Sequence, residues 1–342
     1  MSSETSLARR TAVPISIALL LSAGLLYWFG ETWLRHFLLY MSTAGWARSL
    51  ISSLPLAQTV ARRFVAGETI DEAIAVTRSL NGRNMHVTLD YLGESVSTID
   101  EAQAARDEIL RLLERIDKEN LDATVSVKLS QLGLKIDPRQ TYENIRCLVA
   151  AAKEVDNKIR IDMEESSVVD VTLDIYRRLR FDENFDNVGV VVQSYLYRTE
   201  EDVAELIAHG AGVRLCKGAY MEPANVAFPS KDDTDANFVS LMQMLLSEEA
   251  RQNGVYLGVA THDEQMVEAT KNFSAKQGIA AADYEFQMLY GVRRDLQTEL
   301  VDQGYQVRVY VPYGTAWYPY FVRRLAERPA NLWFFLSNLI RQ

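Results

Sequence analysis

Short β-branched runs alternate with amphipathic segments along most of this chain, and no other feature constrains the fold as strongly. Strands favour β-branched and aromatic residues, whereas the segments between the runs repeat their apolar residues at helical spacing. Eight such runs follow one another, namely HVTLD from 86, ATVSVKL from 123, KIRIDM from 158, NVGVVVQ from 187, GVRLCK from 212, GVYLGVATH from 254, YEFQML from 284 and QVRVYV from 306. Each intervening segment is long enough for a parallel crossover, so the pattern predicts a (β/α)8 barrel of the α/β class.

An open, doubly wound sheet is the alternative fold for such an alternation. Sheets of that kind bind dinucleotides through a G-x-G-x-x-G turn placed directly after a strand. Gly210 and Gly212 come nearest to this motif, but they precede a run and Leu215 occupies the place of the third glycine. No phosphate-binding loop of the Walker type occurs either. The barrel is therefore the preferred prediction.

Helix-start signals occur between the runs. Thr69 with Glu72, and Thr98 with Glu101, have the spacing of a capping box. A helix is predicted from Thr98 to Lys118, and another from Thr199 to His209, opened by its threonine and closed before Gly210.

The N-terminal extension contains an uncharged run, TAVPISIALLLSAGLLYWFG, from Thr11 to Gly30. As a helix it would be about 30 Å long, which matches the hydrocarbon core of a bilayer, and its apolar residues form no stripe. A membrane anchor is the preferred interpretation; a secretory signal, an interfacial helix and a later start at Met41 are the alternatives. Basic residues flank the run on both sides, so the orientation is open.

These patterns divide the chain into three parts. Residues 1–31 form the extension with its candidate transmembrane or anchor helix, residues 32–82 form N-terminal helices, and residues 83–342 form the barrel. Membrane association with a cytoplasmic catalytic domain is the expected location, whereas the oligomeric state is left open.

Charge and residue counts exclude several function classes. The formal net charge of −10 argues against a nucleic-acid surface, which requires a clustered basic face. Two cysteines in apolar segments suggest neither a disulfide framework nor a paired-cysteine metal site, and they fit a reducing compartment. The four histidines lack the spacing of a helical zinc site, so no metal is expected.

Polar residues fall where the predicted strands end. In a barrel the carboxyl ends of the strands meet at one mouth, and this is where catalytic residues lie. The residues at these ends are Asp90, Lys128, Asp162, Gln193, Arg214, Lys217, Thr261, His262 and Tyr310. A structural ion pair inside the barrel would explain any single one of these residues, but their collective placement favours a site for an anionic substrate or cofactor.

The last predicted helix carries an adjacent arginine pair, Arg323 and Arg324, with Tyr320 one turn before. Guanidinium groups bind carboxylates in a planar geometry with two hydrogen bonds, so the pair is suited to a small carboxylate. The alternative is a charged helix face exposed to solvent.

At these residues the chain resembles the proline dehydrogenase family, from about residue 37 to residue 331. The motifs that carry the resemblance are VTLDYLGE, VKLSQLG, IDMEE, VVQSYL, VRLCKGAYMEP, VATHD, EFQMLYG and YFVRRLAE. The resemblance implies a distorted (β/α)8 barrel that uses FAD to oxidise L-proline to 1-pyrroline-5-carboxylate and passes electrons to membrane quinone. Without an aldehyde dehydrogenase half, the chain resembles the monofunctional members.

The resemblance also implies roles for individual residues. Asp162 and Arg214 match the active-site pair, with Arg214 near the flavin N5. The positions implied to bind proline are Lys128, Leu289, Tyr310, Tyr320, Arg323, Arg324 and Glu94, the last pairing with Arg323. The positions implied to hold FAD are Met163, Gln193, Arg214, Lys217, Gly218, Ala219, Thr261 and His262, while Tyr220 and Glu327 match further site positions.

Two other functions are considered beside this one. Another flavin-dependent barrel, such as one resembling methylenetetrahydrofolate reductase, is the nearest enzymatic alternative, and the arginine pair beside Tyr320 argues against it by favouring a small amino acid. A non-catalytic, membrane-tethered barrel acting as a binding module is the alternative from a different class, but no site residue is lost to support it.

Overall fold

The computed structural model describes residues 61–93 and 96–327, and the eight predicted strands form one closed parallel barrel in chain order. The strands are β1 His86–Tyr91, β2 Ala123–Val127, β3 Ile159–Ile161, β4 Val188–Gln193, β5 Gly212–Cys216, β6 Tyr256–Ala260, β7 Tyr284–Leu289 and β8 Val307–Tyr313. The barrel closes where β1 pairs with β8, with Val87 opposite Val309 and Leu89 opposite Val311. The predicted (β/α)8 fold is confirmed.

Helices connect the strands in the order expected for parallel crossovers. They are α1 Ile70–Asn81, α2 Ile99–Lys118, α3 Pro138–Glu154, α4 Val169–Arg177, α5 Thr199–Ala208, α6 Lys231–Leu245, α7 Glu248–Gln252, α8 Glu264–Gln277, α9 Arg294–Asp302 and α10 Trp317–Glu327. A short 3-10 helix, Ser166–Val168, precedes α4, and a π-helical turn, Arg178–Asp182, follows it.

The chain separates into two compact units. One comprises residues 63–317 and contains every strand together with α1; the other comprises residues 1–62 and 318–342. The hydrophobic run predicted to anchor the chain, residues 11–30, lies outside the described residues. Within the described part of the chain, no helix combines the length and the apolar character needed to cross a bilayer.

Each strand turns alternate side chains to opposite faces, and the two faces of this barrel differ sharply in polarity. The side chains that pack outward are apolar and almost fully buried, and they include Val87, Leu89, Val125, Val127, Ile159, Ile161, Val190, Val213, Leu215, Leu257, Val259, Phe286, Met288, Val307, Val309 and Val311. The alternate positions carry polar groups, such as Thr88 and Asp90 on β1 or Glu285 and Gln287 on β7.

Contacts across the barrel show that the polar set points inward. Arg214 on β5 donates to Ser126 on β2, although β3 and β4 separate these strands. Glycines make room for the long interior side chains: a Cβ at Gly189 would lie 2.6 Å from Arg160 Nη1, and one at Gly258 would lie 2.4 Å from Gln287 Nε2. The interior therefore holds polar side chains where most barrels of this type hold branched apolar ones.

The predicted helix starts are largely confirmed. Thr69 and Glu72 form a complete capping box at α1. Thr98 caps α2 by accepting from the Glu101 amide, but the Glu101 carboxylate accepts from the Ser97 amide, so the second predicted box is only half formed. The helix predicted from Thr199 is confirmed as α5, which begins at Thr199 and has His209 as its C-cap, but Arg198 and not Thr199 occupies the N-cap, without a side-chain cap. The Thr199 hydroxyl instead donates to the Gln193 carbonyl at 2.6 Å and so ties the helix to the end of β4.

Candidate active site

Four residues predicted from the sequence meet inside the carboxyl end of the barrel. Tyr310 Oη donates to Asp162 Oδ2 at 2.8 Å, and Arg214 Nη1 donates to Asp162 Oδ1 at 2.6 Å. Lys128 Nζ lies 3.2 Å from Tyr310 Oη and 3.0 Å from Asp90 Oδ2. Because these residues come from strands β1, β5 and β8 and from the positions that directly follow β2 and β3, closure of the barrel is what brings them together.

Arg214 is held from three directions. Beside the Asp162 contact, Nη2 donates to Ser126 Oγ at 3.1 Å and Nε donates to Gln287 Oε1. The Arg214 side chain is 7% exposed and the Asp162 side chain 12% exposed, so the pair is well shielded from water. A guanidinium with all three nitrogen groups engaged keeps a fixed orientation as well as a permanent charge.

Ser126 and Gln287 were not predicted as site residues. The signal that would have found them is the period of two along each strand, since Ser126 stands two positions before Lys128 and Gln287 two before Leu289. Asp90 was noticed at the end of its strand but was not assigned to the site.

Burial and neighbouring charges set the protonation of this cluster. Burial, with a contribution from the nearby Asp162 carboxylate, raises the pKa of the Asp90 carboxyl to about 6 against the attraction of Lys128. Burial first, and then the Asp162 and Asp90 carboxylates, raise the pKa of the Tyr310 hydroxyl well above its usual value. Tyr310 is therefore a hydrogen-bond donor at neutral pH.

The residues implied to hold a cofactor occupy the ends of strands β3 to β6. Met163 is buried, while Ala219 is exposed in the segment that follows Lys217 and Gly218. Lys217 Nζ pairs with Asp263 Oδ2 at 2.7 Å and also with Asp235.

Two of these residues also make structural hydrogen bonds. Thr261 Oγ1 accepts from the Asp263 amide at 3.1 Å. His262 Nε2 accepts from the Leu289 amide at 2.8 Å, which links the loop after β6 to the end of β7.

Three features at the ends of β4 and β5 suit a flat, polar cofactor. Gln193 Oε1 and Tyr195 Oη are buried and have no hydrogen-bond partner among the described residues. Gly218 has a φ of +117°, and a Cβ there would lie 2.4 Å from the Tyr195 ring. A buried amide oxygen and hydroxyl that lack a protein partner fit the polar edge of an aromatic ring system. The residues present are therefore compatible with a flavin.

Helix α10 carries the arginine pair. Tyr320 is buried, Arg323 is partly exposed, and Arg324 is 8% exposed. The Arg324 guanidinium carbon lies 5.0 Å from the centroid of the Tyr320 ring, within range of a cation–π interaction. The alternative of a wholly solvent-exposed charged face does not hold for Arg324. Glu94, the implied partner of Arg323, lies outside the described residues, as does the side chain of Glu327.

A family model described as "Proline dehydrogenase" matches residues 73–336, which is most of the chain. The chain belongs to the proline dehydrogenase family. Curated proline dehydrogenases share much of its sequence. Proline dehydrogenase 1 of Bacillus subtilis (strain 168) is 42% identical over 282 residues, covering 82% of this chain and 91% of the relative. Proline dehydrogenase of Deinococcus radiodurans is 41% identical over 285 residues, covering 82% and 90%.

A solved structure shares the proline dehydrogenase barrel. The crystal structure of proline utilization A from Bdellovibrio bacteriovorus, inactivated by N-propargylglycine, matches with a TM-score of 0.74 and 28% identity. The match covers 79% of this chain but only 32% of that longer one. The chain thus corresponds to one part of that protein, in keeping with the monofunctional relatives.

Proposed function

We propose that this protein oxidises L-proline to 1-pyrroline-5-carboxylate with FAD as its cofactor. The observation that carries the proposal is the buried cluster of Lys128, Tyr310, Asp162 and Arg214 at the barrel mouth, in a chain that belongs to the proline dehydrogenase family. When bound, the flavin would supply the acceptor for the hydride that leaves the ring carbon next to the proline nitrogen.

In this proposal the arginine pair binds the substrate carboxylate. Arg323 and Arg324 each offer a planar donor group, and two such groups match the oxygens of one carboxylate. Glu94 pairs with Arg323, while Leu289 and Tyr320 bound the proline ring on its apolar side. The related enzyme inactivated by N-propargylglycine was treated with an amino acid derivative that also carries a carboxylate, which supports such a site.

The interior cluster orients the reacting groups. Asp162 already accepts hydrogen bonds from Arg214 and Tyr310, so orientation suits it better than removal of a proton. Oxidation removes a hydride, which carries both electrons, from the C–H bond and a proton from the nitrogen, and that proton leaves to water. Arg214, a permanent cation, would stabilise negative charge that develops beside it.

The residues at the ends of β3 to β6 would hold the flavin in this proposal. Gln193 offers a buried amide whose oxygen has no partner among the described residues, and Gly218 leaves space beside the Tyr195 ring. Met163, Lys217, Ala219, Thr261 and His262 complete this part of the site.

We further propose that electrons pass to a membrane quinone and that the uncharged run at residues 11–30 holds the enzyme at the bilayer, with the catalytic domain on the cytoplasmic side. The length and polarity of that run support the proposal. Removal of residues 1–31 should shift the protein from the membrane fraction to the supernatant, whereas a full-length chain already in the supernatant would contradict it. The proposed electron acceptor is tested by supplying L-proline and a soluble quinone analogue without oxygen. Reduction of the quinone analogue is the expected result.

The absorption spectrum of the purified full-length protein tests the main proposal. A bound flavin should be visible, and L-proline added without oxygen should bleach it. A protein without flavin, or a flavin that proline leaves oxidised, would show that the proposed reaction is wrong.

Arg324→Met tests the carboxylate site. Loss of a charge-assisted, paired contact should raise the KM for proline by about 100-fold while flavin stays bound. The matched control is Arg146→Met, which removes a partly exposed arginine that pairs with Glu143 on α3. An unchanged KM, or loss of flavin instead, would remove Arg324 from the proposed substrate site.

A further inference from the structure

A polar cavity opens at the amino-terminal end of the barrel. It has a volume of about 240 Å³ and is lined by residues at the start of strands β3 to β6, by Glu285 and Arg308, and at its inner end by Arg214 and Gln287 of the carboxyl-end cluster. Liquid water occupies about 30 Å³ per molecule, so this volume holds several waters or one small ion with part of its hydration shell. The cavity is therefore large enough for a small polar ligand.

Arg160 on β3 is the central cation of this cavity. Its Nη1 donates to the carbonyls of Val190 at 3.1 Å and Gly212 at 2.5 Å, and Gly189 leaves space for the guanidinium. Among the described residues, no carboxylate lies within ion-pairing distance of Arg160, and its Nε and Nη2 groups make no hydrogen bond. Two donor groups of a charged side chain are thus available to a ligand in the cavity.

The charges around Arg160 leave the cavity electropositive. Burial and the neighbouring Arg214 and Arg308 lower the pKa of Arg160 to about 10 against the opposing effect of the Glu285 and Asp162 carboxylates, so the side chain is still charged at neutral pH. Lys158 and Arg180 line the same cavity. The lining carboxylates have partners already: Glu285 binds Arg308 at 2.8 Å, and Asp186 binds Lys153 at 3.2 Å.

We propose that this cavity is a binding site for a phosphate-type dianion. Three cations, Lys158, Arg160 and Arg180, have no ion pair with a described carboxylate, so a dianion matches the charge better than a monocarboxylate does. Asn187 also lines the cavity, and its buried amide oxygen has no hydrogen-bond partner among the described residues. The proposal does not depend on proline oxidation, because Lys158, Arg160 and Arg180 take no part in the proposed proline site, although Arg214 lines the inner end of the cavity.

Thermal unfolding of the full-length protein in inorganic phosphate, at an ionic strength held constant with chloride, tests the site. A ligand that binds only the folded state raises the unfolding temperature by mass action and saturates. Phosphate should produce this saturable rise, and acetate should produce less of it. Absence of a saturable phosphate effect, or an equal effect of acetate, would overturn the assignment.

Substitutions in the cavity lining test whether phosphate binds there. Arg160→Met should weaken the apparent phosphate affinity at least about tenfold, since it removes the central charge-assisted contact. Arg146→Met is its matched control. Because Arg160 also binds two backbone carbonyls and its loss can prevent folding, Lys158→Met provides a milder test at an exposed position, with exposed Lys276→Met as its control. The proposal is wrong if Lys158→Met and Lys276→Met bind phosphate with equal affinity and a folded Arg160→Met protein keeps the phosphate affinity of the wild type. Phosphate would then bind outside this cavity.

Discussion

At the scale of single residues, this protein concentrates charge where a barrel of its class is usually apolar. Asp90, Lys128, Asp162 and Arg214 contribute two carboxylates and two cations, all within direct or shared hydrogen-bonding contact. Burial makes an unpaired charge costly, so each member depends on its neighbours for stability as well as for function. Substitutions in this cluster should therefore change both folding and activity.

Tyr310→Phe removes one hydroxyl from the cluster without changing the ring. The Asp162 and Lys128 contacts of Tyr310 are lost, so the free energy of unfolding should fall by about 1–2 kcal/mol and kcat/KM for proline by about tenfold. Urea titration and steady-state kinetics measure the two effects. Tyr305→Phe, on a partly buried tyrosine outside the cluster, is the control, and equal kinetics for both variants would contradict the role of the hydroxyl.

Asp90 predicts a specific pH dependence of stability. Its pKa rises from 3.8 to about 6 on folding, so between these values the folded protein holds a proton that the unfolded chain has released. The stabilising contribution is complete below about pH 4 and is lost as the pH rises through about 6. Between about pH 4 and about pH 6, the free energy of unfolding of the wild type should fall by about 1–3 kcal/mol relative to that of Asp90→Asn, whose amide does not titrate. A difference between the two proteins that does not vary with pH would contradict the shift.

At the scale of elements, local sequence signals set where most helices begin. The capping box at α1 works because Thr69 accepts from the Glu72 amide while the Glu72 carboxylate accepts from the Thr69 amide. Helix α5 begins differently: the hydroxyl of Thr199 is committed to the strand carbonyl of Gln193, so it is not available to cap the helix. A cap can be read from the sequence only when no tertiary partner competes for the hydroxyl.

Thr69→Ala tests the cap of α1. Without the side-chain acceptor, an amide in the first turn loses its partner, and the free energy of unfolding should fall by about 1 kcal/mol. Thr69→Ser keeps the hydroxyl and should lose much less. If alanine and serine at this position unfold at the same urea concentration, the capping box does not contribute as described.

At the scale of the whole molecule, one hydrogen-bonded chain runs through the barrel from one end to the other. Arg214 at the carboxyl-end cluster donates to Gln287, Gln287 donates to Glu285 at 2.5 Å, and Glu285 binds Arg308 at 2.8 Å. Arg308 in turn donates to the Val87 carbonyl, which fastens β8 to β1 where the barrel closes. The interior charges at the two ends are therefore parts of one connected arrangement.

Glu285→Gln tests the amino-terminal part of this chain. The Glu285 side chain is 2% exposed, and its loss leaves Arg308 without its carboxylate inside the barrel, which should cost about 3–5 kcal/mol of unfolding free energy. The control is Glu264→Gln, which removes an exposed partner of Arg293 and should cost less than about 1 kcal/mol. Similar losses from the two substitutions would show that the interior pair has no special contribution to stability.

The sequence by itself determined the eight strands, the helix caps at Thr69 and Thr98, and the candidate residues at the strand ends. These features follow from local spacing: a period of two or 3.6 and a threonine three positions before a glutamate are visible without knowing the fold. The family motifs then added roles that spacing alone did not supply.

Only the tertiary structure decided which of these side chains touch. Arg214 meets Ser126 across 88 positions of sequence and Gln287 across 73, and no local pattern selects such partners. They depend on how the strands register when the barrel closes, and on glycines at positions 189 and 258 that leave space for Arg160 and Gln287. The electropositive cavity at the amino-terminal end also depends on the tertiary structure, because it forms only when strands β3 to β8 surround it.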